Sequence, residues 1–304
     1  MAYLLVLIGF VLLIKGADIF VEGASSIAKR FHIPEMIIGL TIVAMGTSLP
    51  ELSVSFISAL NGQSDMSIAN AIGSNIFNLL MILGVSAFIK TLPIKQSSIN
   101  DIFILITATA LLLVLSSFGL SLVWFDGLIM LCLFAYFIRK MIKESKDNDN
   151  KENSAPLSIV RTIIYIVLGA IGIIYGGTLV VDGATAIAKV FGMSDNLIGL
   201  TVVALGTSLP EFVTSVIATK KGKLDIAIGN VIGSNIFNIL FVLGLSSLFS
   251  TLTVSAVTLI DIFFSLFITL ALLCVVCKFK KINKLSGVTF IILYISYMIF
   301  TIIR

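Results

Sequence analysis

The chain has 304 residues, 58% of them hydrophobic and only 12% charged, and its mean hydropathy is +1.14. Since soluble globular proteins carry about a quarter charged residues, this composition excludes a soluble protein and indicates an integral membrane protein. The formal net charge is +4. The basic residues lie between apolar runs, where they set the orientation of a protein in the membrane, so the charge does not indicate a nucleic-acid partner. The residue alternation of a transmembrane barrel is absent.

Apolar runs long enough to cross a bilayer as helices recur along the whole chain. They predict an all-α integral membrane protein with ten transmembrane helices. The predicted spans are 3–25, 36–60, 66–89, 99–117, 120–141, 161–182, 196–219, 226–248, 257–277 and 286–303. The first run has no basic segment before it and no cleavage site after it, so we expect a span and not a removable signal peptide.

The predicted spans divide into two repeats of five. We expect a first repeat at 1–142, a charged linker at 143–158 and a second repeat at 159–304. Identical residues recur at a constant offset, as for the two acids with 211 − 51 = 160, and the similarity is strongest between 39–84 and 199–244. A constant offset over so many residues indicates internal duplication.

An odd number of spans in each repeat inverts the second repeat relative to the first. The prediction is therefore two inverted-topology five-helix repeats. Of the 20 Lys and Arg residues, all but Lys15, Lys189 and Arg304 lie in or beside the connections that follow the odd-numbered spans. This bias predicts a multi-pass protein of the cell membrane with a cytoplasmic linker and both termini extracellular.

The first repeated motif is GTSLPE, at 46–51 and again at 206–211. Its acids, Glu51 and Glu211, lie in spans whose central regions contain no Lys, Arg or His, and a carboxylate inside a bilayer is costly. We interpret both acids as ligands of a cation. The alternative is a pair of protonated structural acids. No His or Cys lies near the motif, so its oxygen ligands favour a hard cation such as Ca²⁺ or Na⁺ over a transition metal.

Proline follows the hydroxyl residues in both copies of this motif. Because Pro50 and Pro210 lack an N–H, we expect the helices to bend or unwind around 44–47 and 204–207. Freed carbonyls are tolerated in a membrane where they line a cavity or bind an ion. The alternative interpretation is a simple kink without a binding role.

The second repeated motif is GSNIFN, at 73–78 and again at 233–238. Ser74 and Asn78 are four residues apart and therefore share a helix face, as do Thr47 and Glu51. The same spacing recurs in the second repeat, for Ser234 with Asn238 and for Thr207 with Glu211. Four helices can thus direct a hydroxyl and a carboxylate or amide at one point. For Gly73 and Ser74 alone, close helix packing is an equal alternative.

The neighbouring amides Asn75 and Asn235 lie one step round the helix from Ser74 and Ser234. We expect them to form hydrogen bonds between helices.

Both motifs, repeated in inverted halves, resemble the two α-repeats of the cation/Ca²⁺ exchanger superfamily, and the chain is similar to prokaryotic Na⁺/Ca²⁺ exchangers within it. The resemblance covers essentially the whole chain. It implies ion positions between spans two, three, seven and eight, and a pair of spans, one and six, that slides across a static core.

The resemblance also implies a role for each matching residue. Ca²⁺ would be held by Glu51, Glu211, Thr47 and Thr207. Na⁺ positions would be completed by Ser74, Ser234 and the carbonyls of Ala44 and Ala204, with support from Ser48 and Ser208. Asn78 and Asn238 would line the middle position. Some members carry Asp at position 238, so Asn238 favours K⁺-independent exchange.

These observations predict a secondary antiporter that exchanges Na⁺ for Ca²⁺ by alternating access. A Ca²⁺/H⁺ antiporter is the nearest alternative, although the hydroxyl-rich GTSLPE motif favours Na⁺ as the counter-ion. A cation channel is a weaker alternative, and an intramembrane protease is weaker still. We therefore expect no enzymatic activity and no cofactor. The expected partners are the transported Ca²⁺ and Na⁺ ions and the lipid bilayer, with no nucleic acid and no obligate protein partner.

Overall fold

The computed structural model describes residues 1–146, 156–193 and 204–303, which are mostly helical. The helices are α1 Ala2–Phe31, α2 Glu35–Thr47, α3 Leu49–Leu60, α4 Ser64–Ile89, α5 Gln96–Ser117, α6 Trp124–Lys146, α7 Ile159–Val190, α8 Ala204–Thr207, α9 Leu209–Lys220, α10 Leu224–Phe249, α11 Ala256–Phe279 and α12 Lys284–Ile303. Three of them contain wider π-helical segments, at Gly39–Val43, Asn78–Ile82 and Phe237–Leu243.

Seven described helices are long and apolar enough to cross a membrane, and the bent pair α2–α3 is an eighth candidate. This confirms the expectation of an all-α membrane-spanning chain. The predicted linker 143–158 begins inside α6, which continues to Lys146. The rest of that linker up to residue 155 lies outside the described residues, as do the start of the predicted span 196–219, part of the motif region 199–244, and Arg304.

Helices α1 and α7 form a long antiparallel pair at the periphery. Glycines bring the two backbones close together: a Cβ added at Gly16 would lie 2.8 Å from Ile173 N, and one at Gly176 would lie 2.6 Å from Leu13 N. Antiparallel packing follows from these partners, because residues later in α1 contact residues earlier in α7. Small residues at a helix interface allow this approach in a membrane.

Helices α4 and α10 form the centre of the molecule. In its most apolar window α10 is 94% buried, whereas α7 is 28% buried. A transmembrane helix shielded from lipid can carry polar side chains only if the protein satisfies them. The asparagines and serines of the GSNIFN motif lie on these two central helices.

Two short antiparallel strand pairs join the two halves of the chain. Strand β1, Leu92–Pro93, pairs with β4, Lys281–Ile282, and β2, Ser121–Leu122, pairs with β3, Leu252–Thr253. Each pair links a connection of the first half with a connection of the second half. These strands were not among the elements predicted from the sequence.

The break in the GTSLPE helix lies one residue later than predicted. Residues Ala44–Thr47 stay α-helical, and the direction changes by 50° at Ser48, whose φ and ψ are −85° and 12°. Ser208 has nearly the same angles, −88° and 2°, after the helical Ala204–Thr207. The predicted bend is therefore present, but unwinding of 44–47 and 204–207 was wrong. The reason is that Pro50 and Pro210 occupy the first turn of a new helix, where an N–H is not required.

Candidate cation site

The two acids of the repeated motif are fully buried at the N-terminal ends of two short helices. Glu51 lies in the first turn of α3 and Glu211 in the first turn of α9, and both side chains have 0% exposure. The N-terminus of a helix favours negative charge because its peptide dipoles point their positive ends there. Because the chain breaks at Ser48 and Ser208, each carboxylate lies in the first turn of a new helix.

Serines from the opposite motif hold each carboxylate. Ser48 Oγ donates to Glu211 Oε1 at 2.7 Å, and Ser208 Oγ donates to Glu51 Oε1 at 3.1 Å. Ser74 of α4 also lies 3.1 Å from Glu51 Oε1 and 2.7 Å from Ser208 Oγ. Each carboxylate is therefore held by a serine of the opposite half of the chain, and neither half builds a carboxylate site alone.

One oxygen of each acid and one of each motif amide receive no hydrogen bond within the described part of the chain. These oxygens are Glu51 Oε2, Glu211 Oε2, Asn78 Oδ1 and Asn238 Oδ1, all buried. Burying a polar atom without a partner costs free energy, so a group that satisfies these oxygens would bind favourably. Four buried acceptor oxygens without donors are suited to binding a cation.

The threonines of the motif are fixed by asparagines from the other half. Thr47 Oγ1 donates to Asn230 Oδ1 at 3.2 Å, and Thr207 Oγ1 lies 3.4 Å from Asn70 Oδ1. A hydroxyl that donates its hydrogen to an amide leaves its lone pairs for another ligand. The Thr47 oxygen can therefore serve as an acceptor toward a cation.

The carbonyl of Ala44 already takes part in hydrogen bonds. It accepts from Ser48 N at 3.0 Å, and the hydroxyl oxygens of Thr47 and Ser234 lie 3.3 Å and 3.5 Å from it. The Ala44 carbonyl therefore stays within its helix and was not freed by Pro50. Ala204 begins α8, directly after residues that the structure does not describe.

Side-chain hydrogen bonds join Glu51 with Ser74 and Ser208, and a separate one joins Glu211 with Ser48. Ser234 departs from the expected symmetry, because its hydroxyl faces the Ala44 carbonyl and not Glu211. Asn78 and Asn238 are buried, and each contacts the GSNIFN motif of the opposite half through its amide nitrogen.

Sequence reasoning missed Asn70 and Asn230 as part of the site. Asn230 Nδ2 donates to Ser215 Oγ at 2.9 Å and reaches the backbone oxygen of Glu211 at 3.4 Å. Asn70 makes the equivalent bonds to Ser55 and Glu51. The repeat offset could have found the pair, since 230 − 70 = 160. Helical spacing also points to them, because each lies one turn before Ser74 or Ser234.

This arrangement suits a hard cation. Two carboxylates supply up to two negative charges, and hydroxyl and amide oxygens complete a shell of the type that Ca²⁺ and Na⁺ accept. Within the described residues no group of three or more His, Cys, Asp or Glu side chains could hold a metal ion. Binding here therefore depends on neutral oxygens as much as on the acids.

Comparison with known proteins agrees with this chemistry. Residues 1–142 and 161–303 match the family model described as sodium/calcium exchanger protein. The chain is 33% identical to the sodium/calcium exchanger MaX1 of Methanosarcina acetivorans, over 81% of this chain and 83% of that protein. It is 38% identical to the membrane protein MJ0091 of Methanocaldococcus jannaschii, over 80% of each chain.

A solved structure has the same fold over nearly the whole chain. The sodium-calcium exchanger NCX_Mj, soaked with Na⁺ and Sr²⁺, superposes with a TM-score of 0.88 and 34% identity, covering 98% of this chain and 97% of that one. Family model, relatives and structure agree along both halves. The chain described here belongs to the sodium/calcium exchanger protein family.

Proposed function

We propose that this chain is a secondary antiporter that moves Ca²⁺ out of the cell in exchange for inward Na⁺, with both ions loading onto the same buried carboxylates. The observation that carries the proposal is the crossed pair of serine–carboxylate contacts, in which Glu51 and Glu211 each keep one oxygen without a hydrogen bond among the described residues. A buried pair of acids that has no basic partner in the described part of the chain needs cations to balance its charge.

Charge balance explains why exchange is coupled. Two carboxylates can be neutralised by one Ca²⁺, or by Na⁺ ions that share hydroxyl and amide oxygens. An empty dianionic site is costly to carry through a closed, dry intermediate. We infer that the transporter changes sides readily only when cations occupy the site, so Ca²⁺ and Na⁺ compete for it and move in opposite directions.

The proposed ligands follow the geometry of the two motifs. Glu51, Glu211, Thr47 and Thr207 would hold Ca²⁺, and the Na⁺ positions would use Ser74, Ser234 and the Ala44 and Ala204 carbonyls. Ser48 and Ser208 would orient the acids, and Asn78 and Asn238 would face the middle of the site. The hydrogen bond of Thr47 to Asn230 supports this assignment, because it uses the hydroxyl hydrogen and leaves the Thr47 oxygen able to accept.

We further propose ten membrane crossings in two inverted repeats, bounded at 1–142 and 159–304. Connections related by the 160-residue offset would lie on the same membrane face if the repeats had the same orientation, and on opposite faces if the repeats were inverted. Strands β1 and β3 are equivalent, since 252 − 92 = 160, yet β1 pairs with β4 and β2 pairs with β3. Pairing between non-equivalent connections supports inversion. The equivalent helices α1 and α7 also run antiparallel.

The proposed orientation puts the linker 143–158 in the cytoplasm and both termini outside. The side assigned to the cytoplasm carries most of the basic residues, and several ion pairs hold its connections together there. Lys95 pairs with Asp225 and Lys223 pairs with Glu35 at 2.6 Å. These contacts support a common face for the connections after spans one, three and seven.

Alternating access would come from the α1–α7 pair. Glycines let the backbones of these two helices meet directly, and α7 is only 28% buried in its most apolar window, against 94% for the central α10. We propose that the pair slides as a unit across the core that contains α4 and α10. The site would then open to each face in turn, while the carboxylates stay in place.

The test is transport by the purified full chain in proteoliposomes, with radioactive Ca²⁺ and separate Na⁺, K⁺ and H⁺ gradients. We expect a Na⁺ gradient to drive Ca²⁺ uptake and a K⁺ or H⁺ gradient alone to drive none. Uptake under the H⁺ gradient without Na⁺ would instead indicate the Ca²⁺/H⁺ antiporter, which family membership does not favour. Ca²⁺ flux without any counter-ion, together with single-channel currents, would indicate a channel and contradict the proposal.

A further inference from the structure

Two asparagines outside the proposed ligand set clamp the central helices together. Asn75 Nδ2 of α4 donates to the backbone oxygen of Asn235 at 3.2 Å, and Asn235 Nδ2 of α10 donates to the backbone oxygen of Asn75, also at 3.2 Å. Both side chains are buried. The contact is reciprocal, so the same two bonds serve both halves of the chain.

These bonds fix the direction of each amide. A backbone carbonyl can only accept a hydrogen bond, so the Asn75 nitrogen must face Asn235 and its Oδ1 must point away. That Oδ1 accepts from Asn238 Nδ2 at 3.1 Å. In the mirror arrangement, Asn235 Oδ1 accepts from Asn78 Nδ2 at 3.0 Å.

The orientation of Asn75 in turn fixes the orientation of the Asn238 amide, and Asn235 does the same for Asn78. Since the nitrogens of Asn78 and Asn238 are held by oxygens, their own Oδ1 atoms face away from the clamp. Both Oδ1 atoms are buried, and neither accepts a hydrogen bond within the described residues. An amide turned the other way would offer N–H groups to the site, and N–H groups repel a cation.

We propose that Asn75 and Asn235 are positioning residues, which orient the Asn238 and Asn78 amides so that oxygen and not nitrogen faces the transported cation. This inference rests on the proposed function of the site. Each positioning residue acts on the amide of the opposite half: Asn75 acts on Asn238, and Asn235 acts on Asn78. Groups that orient metal ligands typically change metal affinity by about 10–100-fold when removed.

The crossed pairing gives a sharp test by double-mutant cycles in full-length protein reconstituted into proteoliposomes, measured as the KM for Ca²⁺ in Na⁺-driven uptake. We expect Asn75→Leu to raise KM about 10–100-fold. In an Asn238→Leu background no amide is left to orient. There Asn75→Leu should change KM by no more than about twofold, which is the usual deviation between independent sites.

The matched control is Asn78→Leu, in the same helix as Asn75. In that background Asn75→Leu should keep its full effect, because Asn78 is oriented by Asn235. Equal effects of Asn75→Leu in the wild-type, Asn78→Leu and Asn238→Leu backgrounds would overturn the proposal and indicate a general packing role.

Because Asn75→Leu leaves buried polar groups unpaired, a variant of the same shape, Asn75→Asp, provides a second test. The new carboxylate can accept from Asn238, but it can donate to the Asn235 carbonyl only when protonated. We expect the KM ratio of Asn75→Asp to wild type to fall toward one as the pH is lowered. A ratio that rises on acidification would show that the added charge merely binds Ca²⁺, and would overturn the proposal.

Uptake by wild-type protein distinguishes a failure of the proposed transport function from a failure of the positioning role. No Na⁺-driven Ca²⁺ uptake by wild type would contradict the proposed function itself. Normal wild-type uptake with additive Asn75 and Asn238 effects would contradict only the role assigned to the asparagine amides.

Discussion

Ser48 and Glu211 come from opposite halves of the chain, and the Ser48 hydroxyl donates to Glu211 Oε1 at 2.7 Å. Ser208 makes the reverse contact with Glu51 at 3.1 Å. Each acid is thus oriented by the motif that contains the other acid. Removing one of these hydroxyls should therefore change the orientation of the carboxylate in the opposite repeat.

We expect Ser48→Ala to raise the KM for Ca²⁺ about 10-fold or more, because groups that orient metal ligands contribute at this level. The measurement is Na⁺-driven Ca²⁺ uptake in proteoliposomes. Ser116→Ala is the matched control, since Ser116 is a buried serine at the C-terminal end of α5. Equal KM values for the two variants would contradict an orienting role for Ser48.

Glu211→Gln should abolish Na⁺-driven Ca²⁺ uptake, and Glu51→Gln should do the same. Each change keeps the shape of the side chain but removes one of the two charges that balance Ca²⁺. The control is Glu144→Gln, because Glu144 lies at the end of α6 and pairs with Lys140 at 3.4 Å. Uptake at the wild-type rate by Glu211→Gln would rule out the proposed site.

Asn230→Ala should lower the thermal stability of the protein in detergent. The side chain is fully buried, and its loss removes its hydrogen bonds with Ser215, Thr47 and the Glu211 carbonyl. An unsatisfied buried group costs about 1–3 kcal/mol. Asn70→Ala is the matched change in the first half, and it should cost less because Asn70 is only partly buried. Melting curves with an equal loss for both variants would contradict this ranking.

The ion pairs that join α1 and the start of α2 to the α9–α10 turn should favour one side of the transport cycle. Lys221 contacts Asp18 at 2.9 Å and Glu22 at 3.7 Å, and Lys223 contacts Glu35 at 2.6 Å. The other half carries neutral Asn61 and Gln63 at the equivalent turn, since 221 − 61 = 160 and 223 − 63 = 160. Only the turn assigned to the cytoplasm therefore has these lysines.

Replacing both lysines by the residues of the other repeat, Lys221→Asn with Lys223→Gln, should loosen the contact of α1 with the core. Exposed ion pairs contribute about 0.2–1 kcal/mol each, so we expect a several-fold increase in hydrogen exchange over the C-terminal half of α1. The C-terminal half of α7, which lacks these pairs, serves as the internal reference. Equal changes in both segments would indicate general destabilisation and not a one-sided restraint.

Gly176→Ala should weaken the α1–α7 pair. The added Cβ would lie 2.6 Å from Leu13 N and 2.8 Å from Gly9 O, so the backbones must separate. Overpacking of this kind costs about 1–3 kcal/mol. Gly177→Ala is the neighbouring control, because its Cβ would be 3.6 Å from Pro210 Cγ, an ordinary contact. We expect melting temperature to fall for Gly176→Ala alone, and a fall for both would assign the effect to the helix backbone.

The sequence predicted the features that repeat or that follow from hydropathy. The constant offset identified both copies of GTSLPE and GSNIFN, and helical spacing placed Ser74 with Asn78 on one face. The helix break was placed too early because proline was expected to disrupt the turn before it. In the structure Pro50 instead starts a new helix. That choice depends on the packing around Ser48, which a single sequence does not record.

Contacts between the halves were beyond prediction for a related reason. The Asn70 and Asn230 contacts with the threonines join residues far apart in the chain, and only the fold defines which helices meet. The pairing of β1 with β4 has no sequence signal, because the strands are only two residues long. The departure of Ser234 from symmetry likewise arises in packing, since the motif sequence is identical in both halves.

The strand pairs also set an order of events during biosynthesis. Strand β1 leaves the ribosome early, but its partner β4 is made only just before α12. Until then the edge of β1 is unpaired, and unpaired edges invite wrong partners. Glu51 likewise enters the bilayer before Ser208 exists to hold it. The first half therefore completes these contacts only when nearly the entire polypeptide has been translated, and a chain terminated before β4 would lack them.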